Sequence, residues 1–349
     1  MAGIVTGLVA VLAVSSGSDP GRALEALWLG SVGSRYALLS GSLVRATPLI
    51  LCGLAVALAF TAGVMNIGAE GQLLAGGTAA TAVGLATSPS LGRLALPAAL
   101  AAGAMAGAAW AFLPAWLRRR FGVLEVITTI MMNFVALYMV GYLVRGPLQE
   151  PLRIYPQSAS LPEAARLPLL PGAARLHLGF AIALFCAGGV WWALRTTAAG
   201  FRVRVIGANP DAARSAALID VGRSTLRVFL LSGALAGLAG AIEVTGVTYS
   251  LYENISPGYG YTAIAVALVG ALNPLLTAVS GVFFGALEAG AAAMQRDAGV
   301  PSVTATVAEA SIILVVLASA GVRGRVARRR RRAAHTPPIT RSPGFSGVA

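Results

Sequence analysis

Residues 63–77 read GVMNIGAEGQLLAGG, which sets Asn66, Glu70 and Gln72 between two apolar runs with Gly68, Gly71, Gly76 and Gly77 around them. Amide and carboxylate groups at membrane depth are costly and usually face a cavity or a bundle interior. Here they can contact a polar solute or satisfy backbone groups freed where a helix breaks, and the glycines let the chain turn. The stretch is either a tight cytoplasmic turn or an unwound segment lining a transport path. A second set lies in LEVITTIMMNFVALYMV, where Glu125, Thr129 and Asn133 are four apart and share one helix face beside Thr128. Threonine hydroxyls in membrane helices commonly bond their own backbone, so Asn133 is the member that demands a partner elsewhere. Glu243, Glu288 and Glu309 sit in or near the late apolar runs. An ion-coupled secondary transporter would use Glu70, Glu243 or Glu309 to carry H⁺ or Na⁺. The plainer reading of each is a carboxylate near a helix end, and that reading is weakest for Glu309 in TVAEASIIL.

What is missing narrows the chemistry further. The chain has no GxxxxGK[ST] loop to cradle ATP phosphates and no HExxH pair. Cys52 and Cys186 lie in separate apolar runs, and His177 and His335 are too few to build a metal centre. A lipid-modifying membrane enzyme would need polar clusters at an interface, and the sequence offers none. We therefore expect no catalytic, nucleotide-binding or metal site in this chain, and no cofactor of its own. Active transport would have to draw its energy from a partner or an ion gradient.

The segment TTAAGFRVRVIGANPDAARSAALIDVGRS, within the loop 196–226, carries a helix start. Asn209 suits an N-cap, Pro210 the first helical position, and Asp211 the first turn, where a negative charge faces the positive end of the helix dipole. Ala213, Ala217 and Leu218 would form an apolar stripe. Such a helix either docks a peripheral partner or rests on the membrane surface.

These groups must be positioned by membrane helices. Apolar residues make up 57% of 349 positions and charged residues 11%, well under the quarter usual for a soluble domain. The mean hydropathy is +0.77. The 42 glycines suit close helix packing in lipid. About 20 apolar residues cross the hydrocarbon core, and candidate spans are 1–15, 44–63, 73–88, 94–117, 124–144, 177–195, 227–247, 261–272, 275–293 and 303–321. The first is short for a crossing, and nothing basic precedes it as a signal peptide would require. The 73–88 and 261–272 segments are short and Gly-rich, a pattern found where broken helices line a path. The expected fold is an all-α polytopic transmembrane bundle of about ten spans, with a cytoplasmic coupling helix.

The net charge of +13 comes entirely from arginine. Nucleic-acid binding is a poor reading of it, because the arginines occupy short loops and one tail. Arg118–Arg120, the loop group Arg195, Arg202, Arg204, Arg214, Arg223 and Arg227, and the tail group Arg323, Arg325 and Arg328–Arg332 fall on one side of a ten-span chain. That side is cytoplasmic by the positive-inside rule, and both termini share it. The Pro-rich loop 146–176 is then external. Residues 1–322 are expected to form the transmembrane domain and 323–349 an Arg-rich tail of disordered composition. The arginine run could touch anionic membrane lipid or serve only as a stop-transfer signal.

Four stretches in order, NIGAEGQLLAGG, EVITTIMMNFVALYMVGYLVRGPLQ, GFRVRVIGANPDAARSAALID and GYGYTAIAVALVGALNPL, resemble permease subunits of bacterial ABC importers for nucleosides and simple sugars. These belong to the larger branched-chain amino acid and ribose permease superfamily. The resemblance covers about 42–320 and is nearer to the nucleoside type than to the ribose type. It implies a multi-pass protein of the bacterial plasma (inner) membrane that works with a second, related permease chain. It further implies a cytoplasmic ATPase that binds the ATP and an extracytoplasmic solute-binding protein that delivers the small-molecule substrate. Gly200, Gly207, Asn209, Pro210, Ala212 and Ala213 match the segment that couples such permeases to their ATPase, which favours docking over resting on the surface. Asn66, Glu70 and Gln72 match the segment associated with the pathway, and Asn133 would take a pathway or packing role.

Overall fold

The computed structural model describes residues 17–172, 174–215 and 220–301, with scattered positions on either side. The described residues are all-α, with two isolated β-bridges, Gln157 to Tyr252 and Leu169 to His177. The helices in chain order are α1 (Pro20–Ser31), α2 (Leu43–Thr61), α3 (Ala69–Leu91), α4 (Ala95–Phe121) and α5 (Glu125–Val144). After the loop 146–176 come α6 (Leu178–Thr196), α7 (Ala198–Ala208), α8 (Pro210–Ser215), α9 (Val221–Glu243), α10 (Tyr259–Val269) and α11 (Pro274–Asp297). A π-helical turn, Ala37–Ser42, leads into α2, and a second, Val244–Thr248, extends α9.

Among the described residues, six helices are long and apolar enough to cross a membrane: Ala37–Thr61, Gly92–Phe121, Glu125–Val144, Leu178–Thr196, Val221–Thr248 and Pro274–Asp297. The expected spans 1–15 and 303–321, Glu309 and the tail 323–349 lie wholly or largely outside the described residues. The expected span 73–88 is a longer helix, α3, whose first turns carry the polar residues Glu70 and Gln72. The expected span 261–272 is the 11-residue helix α10, which ends where Gly270 breaks the regular backbone. Helices α1 and α7 have no counterpart among the expected spans or helices. α1 starts on Asp19, whose carboxylate accepts from the Gly21 N–H at 2.7 Å, with Pro20 at its first position.

Helices α3, α4 and α9 pack as a tight trio, and α2 joins them to a second group of α10, α11 and α1. Small residues make the trio possible. A Cβ on Gly237 would fall 2.3 Å from the Gly103 carbonyl oxygen, so the backbones of α9 and α4 touch directly. This is dispersion packing of the kind that joins helices where lipid offers no hydrophobic drive.

The loop 146–176 is knitted onto the C-terminal end of α9. Leu161, Leu167 and Ser158 donate their N–H groups to the carbonyls of Tyr249, Thr245 and Leu251 at 2.7, 2.9 and 2.8 Å. The Arg166 guanidinium lies 4.7 Å from the Tyr249 ring centroid. Arg145, just past α5, pairs with Glu253 in the turn before α10 at 2.5 Å.

Candidate functional site

The segment between α2 and α3 settles into a buried polar knot. Asn66 is fully buried, and its side chain makes four hydrogen bonds. Its Nδ2 donates to Gln72 Oε1 at 3.0 Å and to Ser232 Oγ at 2.9 Å. Its Oδ1 accepts from the Gly68 N–H at 2.9 Å and from Gln72 Nε2 at 3.0 Å. That uses both donors and both lone pairs of the amide. Ser232, on α9, passes its proton on to the Ala55 carbonyl of α2 at 2.7 Å. One asparagine thus ties α2, α3 and α9 together.

Asn133 holds the same segment from α5. Its Nδ2 donates to the Ile67 carbonyl at 3.0 Å, and its Oδ1 accepts from the Gly71 N–H at 2.8 Å. The expected threonine behaviour is present too: Thr129 Oγ1 donates back to the Glu125 carbonyl at 2.7 Å. Glu70, also buried, accepts from the Gly260 N–H of α10 at 2.7 Å. A Cβ on Gly260 would sit 2.2 Å from the Glu70 nitrogen, so only glycine allows the starts of α3 and α10 to meet this closely. The four expected residues are therefore brought together, each with its polar groups turned into the protein. Ser232 and Gly260 complete the knot and were not singled out in the sequence.

Helix geometry fixes the depth of this knot. Asn133 is eight residues beyond Glu125 in the 20-residue helix α5, about 12 Å along an axis of about 30 Å at 1.5 Å per residue. Ser232 is likewise eleven residues into the Val221–Thr248 span. The knot lies near mid-span. Residues 62–68 are irregular backbone that climbs from the end of α2 back to that level. Backbone of this kind is tolerated in a membrane only where protein buries it or water reaches it.

The loop between α6 and α9 carries the second site. Asn209 Oδ1 accepts from the N–H groups of Asp211 and Ala212, both at 3.0 Å, so it caps α8 as its sequence predicts. Asn209, Pro210 and Ala212 are exposed, and Ala213 is buried beneath them. Ala217 and Leu218, the rest of the expected stripe, lie outside the described residues. Ahead of α8 stands α7, capped by the Thr197 hydroxyl on the Gly200 N–H at 3.1 Å. Gly200 is buried against the last turn of α6. A Cβ on Gly207 would lie 1.9 Å from the Thr61 carbonyl oxygen, which puts the end of α7 directly on the end of α2. A cavity of about 480 Å³ sits at this junction, lined by Gly63, Arg118, Arg119, Gly207, Pro210 and Phe229 among others. Arg118 pairs with Glu125 at 3.0 Å across the turn from α4 to α5.

The remaining carboxylates are dispersed. Glu243 is buried at the C-terminal end of α9, and Glu288 is half-buried on α11. His177 caps α6 at the membrane edge, its Nδ1 accepting from the Gly179 N–H at 3.2 Å. Burial pushes its pKa down to about 4, so the ring is neutral at ordinary pH.

Comparison with known proteins places this arrangement. Residues 38–317 match the profile of the branched-chain amino acid transport system permease component. The chain is 39% identical to the glucose ABC transporter permease protein TsgB13 of Haloferax volcanii, over 91% of this chain and 85% of that one. It is 38% identical to the guanosine ABC transporter permease protein NupP of Bacillus subtilis, over 95% and 96% of the two chains. It also matches a second guanosine permease protein of that bacterium, NupQ, at 26% identity over 71% and 79%.

Proposed function

The chain belongs to the permease-component family of branched-chain amino acid transport systems, and on that premise we propose that it forms the translocation path of an ABC importer for nucleosides or simple sugars. The similarity to guanosine and glucose permeases at 38% and 39% identity supports this substrate class. An ion-coupled transporter is not favoured by that family relationship. In this reading a separate cytoplasmic ATPase binds the ATP, and an extracytoplasmic binding protein delivers the substrate. The permease has ten spans with both termini inside, and residues 196–226 are its coupling loop. Two guanosine permease proteins of one bacterium both match this chain, which supports a second, related permease as its partner.

The observation that carries the proposal is the contact between the loop and the first break in the bundle. Gly207 packs on Thr61, and five residues later the chain reaches Asn66 at mid-span. ATPase closure against the exposed start of α8 would move α7, and through it the end of α2 and the polar knot. Asn66, Glu70, Gln72 and Asn133 then act by holding the path-forming helix ends in one arrangement and releasing them in another.

Uptake of labelled guanosine and glucose into vesicles holding the assembled transporter tests the reading. Uptake should require ATP, the ATPase and the binding protein. Uptake by this chain alone under a proton or sodium gradient would overturn it.

A further inference from the structure

Helix α6 carries two adjacent glycines near its centre, Gly188 and Gly189, and a Cβ built on either would meet no atom within 4 Å. Glycine weakens a helix interior. At Gly103 and Gly237 the missing side chain lets two backbones touch, but beside Gly189 it leaves open space. That space is a groove of about 370 Å³ between α6 and α9, with Leu58 of α2 in its lining and Ala199, Gly200 and Val203 of α7 closing one end.

On α9 the groove runs from Val228 to Leu238, a rise of about 15 Å. Leu238 is just past the middle of the Val221–Thr248 span, and Gly189 is at the middle of Leu178–Thr196. The groove is therefore one leaflet long, half of a hydrocarbon core of about 30 Å. Spread over that length, its volume gives a cross-section of about 25 Å², about a third of that of a helix 10 Å across. No helix fits it, and an extended hydrocarbon chain does. Its walls also turn away a polar solute. Among the described residues, Thr197 is the only polar side chain in the lining. Its hydroxyl is already used, donating to the Ala193 carbonyl at 2.6 Å and accepting from the Gly200 N–H at 3.1 Å.

The end closed by α7 is basic. Arg227 stands one turn before Leu231 on the groove face of α9, and Arg202 and Arg204 flank Val203 on α7. All three are exposed, and among the described residues none of them pairs with a carboxylate. This end is at headgroup level. It coincides with the end of the Leu178–Thr196 span, and Trp191, with the Arg195 guanidinium 5.5 Å from its ring centroid, marks the interface on α6.

We propose that this groove binds one acyl chain of an anionic phospholipid, with Arg227, Arg202 and Arg204 around the phosphate. A dry slot one leaflet long and unpaired cations at its mouth match the two halves of that molecule. A chain seated there fills the gap between α6 and α9 against Gly200 and Val203, and so holds α7 to the bundle. The assignment needs only that the protein spans a membrane, and it stands apart from the importer reading.

The test is lipid retention by the full-length chain in detergent, read by native mass spectrometry after incubation with equal amounts of phosphatidylglycerol and phosphatidylcholine. One phosphatidylglycerol should be retained in preference to phosphatidylcholine, by about fivefold for each arginine that reaches the phosphate. Gly189→Leu should fill the groove and abolish retention. Gly188→Leu, the same change one residue away and outside the lining, should keep it. Arg227→Gln should still hold a lipid but lose about fivefold of the preference. Equal retention of the two lipids by the wild type would overturn the proposal. So would retention by Gly189→Leu that matches Gly188→Leu, or an Arg227→Gln chain with the full preference. The wild-type ratio and Arg227→Gln decide the matter if Gly189→Leu does not fold.

Discussion

Substituting Asn133 with alanine should loosen the start of α3 and reduce transport together. The side chain gives Nδ2 to the Ile67 carbonyl and accepts from the Gly71 N–H, at 3.0 and 2.8 Å. Gly71 is buried and Ile67 partly so, and Asn133 is the side chain that bonds both. Hydrogen bonds between membrane helices are worth about 0.6 kcal/mol on average and up to about 1.7. Losing two therefore costs about 1–3 kcal/mol. The upper half applies if the Gly71 N–H finds no new acceptor, since an orphaned buried group costs about 1–3 kcal/mol by itself. Asn133→Asp separates the two bonds, because a carboxylate still accepts from Gly71 but repels the Ile67 carbonyl. Thermal unfolding in detergent, followed by tryptophan fluorescence, should rank the wild type above Asn133→Asp and Asn133→Ala. Vesicle uptake should fall in the variants while the ATPase still binds. An Asn133→Ala protein with unchanged unfolding midpoint and unchanged uptake would refute the knot as the element that sets the helix ends.

Other perturbations separate the lever from the scaffold. Gly207→Ala places a methyl group 1.9 Å from the Thr61 carbonyl oxygen, and overpacking of this kind costs about 1–3 kcal/mol; ATP hydrolysis by the assembled complex should persist while uptake is lost, and normal uptake would remove α7 from the coupling route. For His177 the folded pKa of about 4 lies below the ordinary value near 6.5, so the neutral ring's contribution is full above about pH 6.5 and is lost as pH falls towards 4, up to about 3 kcal/mol. Unfolding midpoints at about pH 7 and about pH 4.5 should therefore differ more for the wild type than for His177→Asn, and parallel values would show that the ring is not held neutral. Arg145→Ala breaks a half-exposed ion pair and should leave the unfolding midpoint nearly unchanged, with any effect shrinking in high salt; a clear loss would mean that this pair, and not the backbone bonds of 158, 161 and 167, holds the loop 146–176.

Much of this was legible in the residues, and the gaps have physical causes. Asn133 was identifiable because an amide in an apolar helix cannot be satisfied by its own backbone, whereas Thr128 and Thr129 can. Asn209-Pro210-Asp211 announced a helix start, and the structure caps it as written. The same signature at Asp19-Pro20 went unread, since α1 is too polar to be sought as a span. For residues 66–72 a turn and an unwound segment stayed open, because their partners are Asn133, Ser232 and Gly260, 62 to 190 residues away. Periodicity reports which face of a helix is apolar and says nothing about such distant bonds. Ser232 had no local signal beyond being one hydroxyl in a glycine-rich span. The helix α7 hid behind FRVRVIG, whose alternation of charged and apolar residues mimics a strand; its Thr197 cap was the available clue.

In the proposed function the knot and the loop move together because the connection between them is short. Thr61 is pinned by the backbone contact with Gly207, and Asn66 is pinned by four side-chain bonds. Five residues separate them, a tether whose full extension is about 17 Å. Ala62, Gly63 and Val64 are bonded back to the last turn of α2, so the tether is held at both ends, and a shift of α7 either carries Asn66 along or breaks its bonds. Carrying it moves α3 with its neighbours α5 and α10, since Asn133 and Gly260 grip the same turn. Breaking it frees Gln72, Ser232 and the Gly68 N–H to face whatever occupies mid-span. In the proposed importer, both outcomes would convert motion at the coupling loop into a change of polar groups near mid-span.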